Sequence, residues 1–123
     1  MYVLTCITPR TLRELVSEGL KTMVLKSAHN INTLIKSNMN EPIFITSRSE
    51  DDITIETEGI IATIKNVSLY NNRQSMDNDE YEITTARVQF ELINVAKVKD
   101  ITRSVEDKRL NVDIDKVTFY RIS

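Results

Sequence analysis

Ala86-Arg87-Val88-Gln89-Phe90-Glu91-Leu92 decides the fold class of this chain. Ala86, Val88, Phe90 and Leu92 alternate strictly with Arg87, Gln89 and Glu91. A period of two places one row of side chains in a core and the other in water, the signature of a half-buried strand. The alternation slips at Leu92-Ile93, which predicts a bulge or bend before Val95–Val98. Working outward, Gly59–Leu69 reads as a long strand, Asn71–Glu80 as a polar mobile loop, Asp100–Asn111 as a charged connection and Val112–Ile122 as a closing strand.

The first third is of a different kind. Tyr2–Ile7 is short and apolar and reads as a strand. Thr8-Pro9 then opens a helix, with Thr as cap, Pro at the first position and Thr11 and Glu14 as a capping box. Leu12, Leu15 and Val16 form its buried stripe, and Gly19 supplies the left-handed end. Thr22–Leu25 follows as a strand. Asn30 reads as the cap of a second helix with Ile31, Leu34 and Ile35 inward, before Ile43–Thr46 as a further strand. Two early helices and long antiparallel-type strands predict an α+β domain with a curved sheet or small barrel.

The 123 residues form one expected domain, 1–123, long enough to bury a core without staples. No apolar run approaches the roughly 20 residues of a membrane span. Met1–Pro9 has neither the basic leader nor the apolar core of a signal peptide, and Cys6 is the single cysteine. These features predict a cytoplasmic protein. The net charge of −2 speaks against nonspecific nucleic-acid binding. Residues 1–40 nevertheless carry five Lys or Arg against two acids, and residues 41–60 six acids against Arg48. A basic third beside an acidic loop can polarise a cleft, or be solvated surface.

The order strand, helix, Gly19-x-Lys21, strand, helix, strand and Gly59-led strand resembles the ASCH superfamily, whose members have a PUA-like β-barrel. In that family the early helix ends in Gly-x-Lys-x-x-Glu-x-Arg; here Val24 replaces the Glu and Lys26 stands where the Arg is expected. Glu41-Pro-Ile-Phe-Ile-Thr46 and Glu58-Gly59-Ile-Ile-Ala-Thr-Ile-Lys65 resemble the family's next two strands. Thr57-Glu58-Gly59-Ile60-Ile61-Ala62 with Thr85-Ala86-Arg87-Val88-Gln89 is similar to a small archaeal family, mostly of methanogens, catalogued as domain of unknown function 473. The resemblance implies a small bent PUA-like or ASCH-like barrel with two short helices near its N-terminus.

It also implies a binding cleft for RNA or a nucleotide-like anion, lined by Lys21, Lys26, Arg48 and Glu58, with Lys21 as a point charge on phosphate or carboxylate. On an extended strand Lys21 and Lys26 face opposite sides, so one of them alone needs to face a cleft. The alternative is a structural or protein-interaction subunit without a ligand of its own, with a second copy of the chain among its partners. A third reading, an amidohydrolase on a modified nucleoside, needs a hydroxyl where Val24 stands, and the neighbouring Thr22 faces away from Lys21. No catalytic residue is therefore assigned, and the chain reads more as a binder than an enzyme. His29 and Cys6 are each single of their kind, and Glu50-Asp51-Asp52 lacks the alternating ligands of a calcium loop, so no metal and no cofactor are expected. Phe44, Phe90 and Phe119 read as core, and Tyr70 and Tyr81 as flanks of the mobile loop.

Overall fold

A computed structural model describes residues 1–76, 79–103 and 110–117. In chain order it contains β1 (Val3–Leu4), α1 (Pro9–Glu18), β2 (Leu20–Leu25), α2 (Ala28–Lys36), β3 (Pro42–Ile45), a 3-10 turn (Glu50–Asp52), β4 (Glu58–Met76), β5 (Asp79–Arg103) and β6 (Leu110–Val117). The six strands form one sheet in the order β1-β3-β4-β5-β2, with β6 also paired to β5. β1 runs parallel to β3, and every other pair is antiparallel.

The β4–β5 hairpin is the spine of this α+β fold. β4 follows one edge of β5 from Lys97 to the hairpin end. The other edge is shared end to end: β2 pairs with Ala86–Glu91 and β6 with Val95–Arg103. The break between these two partners falls where the alternation slips. Ala62 stands opposite Leu92 and Ile61 opposite Asn94, leaving Ile93 as the extra residue of a bulge.

That extra residue exchanges the two faces. Ala86, Val88 and Phe90 face one buried cluster with Met23, Leu25, Ile43, Ile60 and Ile64, closed by Leu15 of α1 and Ile31 and Leu34 of α2. Past Ile93, Ala96 and Val98 face a second cluster with Val3, Phe44, Ile61, Leu110 and Val112. Phe44 and Phe90 are both fully buried. Phe119 lies outside the described residues.

The expected barrel is not formed. β1 and β6 meet only at an isolated bridge, Tyr2 to Asn111, with the Val112 N–H donating to Met1 O at 2.9 Å. β1 has two residues, too few to make a ladder with β6 as well as with β3. The sheet therefore stays open as a ladder. The loop expected over Asn71–Glu80 is also corrected, because Asn71–Met76 and Asp79–Thr84 are paired strand ends of the hairpin. Asp100–Arg103, expected as a connection, continues β5. Val112–Val117 is strand as expected, and 118–122 fall outside the described residues.

The helix signals hold in part. Thr8 caps α1 by accepting from Thr11 N, Pro9 opens it, and Gly19 ends it at φ 76°. In α2 the cap is Ser27 rather than Asn30, and Ile35 is exposed while Ile31 and Leu34 are buried. Starting the helix three residues earlier turns Asn30 inward and Ile35 outward.

The two glycines answer different needs, which gives a stability prediction. A Cβ on Gly59 would press into the Phe44 ring and stand 2.5 Å from Ile45 O, whereas one on Gly19 meets open space. Gly59→Ala should cost at least about 3 kcal/mol, at the upper end of over-packing. Gly19→Ala should cost about 1–2 kcal/mol for its left-handed backbone. Urea denaturation midpoints of the two variants check the order.

Candidate functional site

The anticipated anion site can be followed residue by residue. Lys21 stands opposite Phe90 in the β2–β5 register and so shares the face that α1 covers. Its Nζ forms an ion pair with Glu14 at 2.5 Å, and Glu14 also accepts from Arg10 Nε at 3.0 Å. Thr22, opposite Gln89, is on the other face, where a hydroxyl has no access to Lys21. Lys26 is exposed just beyond β2.

Arg48 and Glu58 sit around the buried Thr46 hydroxyl, which accepts from Arg48 N at 3.4 Å and donates to Glu58 O at 3.0 Å. The Arg48 guanidinium reaches Asp52 O at 3.5 Å. Lys21 is level with Phe90 and Glu58 with Lys97, which separates them by roughly 20 Å of strand. Arg48 and Glu58 are thus brought together through their backbone groups at Thr46, and Lys21 stays apart from them on β2, paired to Glu14 of α1.

A second polar constellation ties α2 to the segment around β1. Asn30, buried at 4% exposure, accepts from Thr5 N at 2.9 Å and donates from Nδ2 to Thr5 O at 2.8 Å. One carboxamide supplies both partners that a neighbouring strand would give Thr5. His29 extends the clamp: Nε2 lies 3.1 Å from Val3 O and Nδ1 3.0 Å from the Glu50 carboxylate. Both ring nitrogens are thereby occupied, and the imidazole acts as a strut. Among the described residues no three His, Cys, Asp or Glu side chains are placed to hold a metal.

An open cavity of about 450 Å³ is lined by Met1, Lys99, Asp100, Val112, Asp113 and Ile114. It holds none of the four anticipated residues. Among the described residues, no helix is long and apolar enough to cross a membrane.

Exposed apolar side chains also lie toward the end of the β4–β5 hairpin. β2 stops at Leu25 opposite Ala86, and β3 starts at Pro42 opposite Thr63. Beyond these points, among the described residues, Tyr70–Met76 and Asp79–Thr85 pair only with each other, as an arm roughly 20 Å long. Thr84 Oγ1 donates to Asn71 Oδ1 at 2.8 Å across it. Tyr70 is opposite Thr85 and Ile83 opposite Asn72, so Tyr70 and Ile83 are diagonal neighbours on one face. Both are exposed, as is Leu69 at the base of the opposite face. The arm could not be read from its sequence, because its residues show no apolar alternation.

The ion pair of Lys21 yields a pH prediction. The Glu14 carboxyl is held below its ordinary range by hydrogen bonds from Lys21 and then Arg10, and the Lys21 ammonium is pushed above its ordinary value by Glu14. The first contribution is present above the unfolded carboxylate value of about 4.3 and lost as pH falls through the folded one. The second is present below about 10.4 and lost as pH rises past the folded one. Glu14→Gln should therefore lower the melting temperature slightly at pH 7, and its difference from wild type should vanish near pH 2. Thermal melts across pH measure this.

Comparison with known proteins follows the same outline. The family described as a protein of unknown function (DUF473) matches residues 1–112. An uncharacterized protein of Methanocaldococcus jannaschii is 32% identical over 99 residues, which cover 79% of this chain and 63% of that protein. The chain thus spans less than two-thirds of that relative's length. The N-terminal domain of the Mycobacterium avium complex Lon protease shares the fold at a TM-score of 0.54 and 16% identity, over 96% of this chain and 54% of that one.

Proposed function

The chain belongs to the DUF473 family, whose description assigns no activity, and from the geometry of its arm we propose that it is a protein-interaction module. The observation that carries this reading is the length of β4 and β5 past their last neighbours. Two-stranded ribbons are marginally stable in water without a third strand or a core to pack on. Here such a ribbon also exposes Tyr70 and Ile83 on one face, with Leu69 exposed at its base on the other. A partner chain laid against the arm would bury these side chains and satisfy the open backbone edges. Isolated exposed apolar residues are ordinary, but Tyr70 and Ile83 are diagonal neighbours on one face of the arm and form a local surface.

The anion cleft implied by the ASCH resemblance takes second place. It requires Lys21 to release Glu14 before it can meet a phosphate, and Arg48 and Glu58 meet at Thr46 through backbone groups, far along the strand from Lys21. RNA or nucleotide binding through Lys21, Lys26 and Arg48 would on these grounds be weak.

The double variant Tyr70→Glu, Ile83→Glu tests the interaction reading. Both positions are exposed, so its melting temperature should stay near wild type. A partner should co-purify with the wild-type protein from its own cells in fixed ratio and be lost from the variant. Equal recovery with both proteins would overturn the reading. So would nucleotide or RNA binding that disappears in Lys26→Ala and Arg48→Ala.

A further inference from the structure

The open edge of β5 has a definite chemistry. Leu92 donates its N–H to Gly19 O, toward the edge that β2 occupies. Antiparallel ladders alternate the direction of backbone groups from residue to residue. β5 runs without an extra residue from Glu80 to Leu92, since the shift near Ile64 inserts Lys65 on β4. Ala86, Val88 and Phe90 therefore face β2, and Glu80, Glu82 and Thr84 turn their N–H and C=O groups outward on the same edge. Past Leu25 no strand among the described residues pairs with that edge.

The edge is also charged with one sign. Glu80 and Glu82 are exposed. Residues 69–85 contain four acids against Arg73 alone, and Arg73 lies opposite Glu82 on β4, the far strand from this edge. A second copy adding antiparallel through a twofold axis, in a register centred on Tyr81 or Glu82, would set Glu82 against Glu80 or against itself. Like charges directly opposite destabilise a ladder. Charged edges discourage self-pairing in this way while leaving backbone groups available to a strand of the opposite charge.

We propose that the Glu80–Thr84 edge of β5 takes an extended basic polypeptide segment as an added strand. The backbone ladder holds the segment, and Lys or Arg side chains on alternate positions meet Glu80 and Glu82. This rests on the interaction reading above and adds to it the chemistry of the partner and the edge it uses.

A labelled peptide of alternating Lys and Val, and its Glu–Val counterpart, test the proposal by fluorescence anisotropy on the whole chain. The basic peptide should bind at least about tenfold more tightly than the acidic one, and added salt should weaken it. Glu80→Lys with Glu82→Lys should invert the preference. Glu82→Pro removes one outward N–H and leaves the β4 ladder intact, so it should abolish binding at an unchanged melting temperature. Failure of the basic peptide to bind, or binding indifferent to these variants, overturns the proposal. A wild-type dimer in sedimentation that Glu82→Pro dissociates overturns it as well, by seating a second copy on the edge. Loss of the co-purified partner in Tyr70→Glu, Ile83→Glu without any peptide binding would reject the basic strand alone and leave the interaction reading standing. If that partner also stays bound, both fall.

Discussion

The extra residue at Ile93 is the constraint on which the rest of this structure depends. A strand as long as β5, Asp79–Arg103, would with a strict period of two keep one face apolar throughout. One inserted residue hands the even positions from one face to the other, so Phe90 and Ala96 serve different cores. It also bends the strand, which lets β2 and β6 share a single edge without colliding. Both helices can then close the first cluster while the second is closed by β6 and the N-terminal residues.

Asn30 performs the complementary task at the other end of the sheet order. β1 has only two residues in its ladder with β3, too few for it to hold the edge by pairing. The Asn30 carboxamide extends that pairing by imitating a neighbouring strand at Thr5, and the His29 ring does the same for Val3 O. Because Asn30 is buried, an unpaired carboxamide there would carry the full desolvation cost of its polar atoms. The helix is therefore fixed in rotation as well as in place. Glu50, holding the outer nitrogen of His29, joins the 3-10 turn to the same clamp.

These features separate the body of the molecule from its arm. The body is over-determined: two clusters, a clamp and a shared edge all favour one arrangement. Among the described residues the arm shows a single ladder, a side-chain lock at Thr84 and the exposed apolar groups Tyr70 and Ile83. The proposed interaction would draw on such an element, because the free energy of its local opening is available to couple to a partner.

What the amino-acid sequence determined by itself was local and periodic. The alternation over Ala86–Leu92 and its slip at Ile93, the Thr8-Pro9 helix start, the Gly19 stop and the buried Phe44 and Phe90 are settled by neighbours within one or two turns or strand repeats. The tertiary structure decided everything that depends on residues far apart. Asn30 has the local pattern of a cap, and becomes a clamp because Thr5, 25 positions away, needs partners that β1 is too short to supply. Lys21 reads as an exposed cation until α1 folds back and sets Glu14 against it. The barrel fails to close because β1 ends after two ladder residues, a matter of length across the seam rather than of pattern. The arm stayed invisible for the converse reason: pairing between two strands satisfies its backbone whatever its side chains are, and its polar sequence carries no period of two to read.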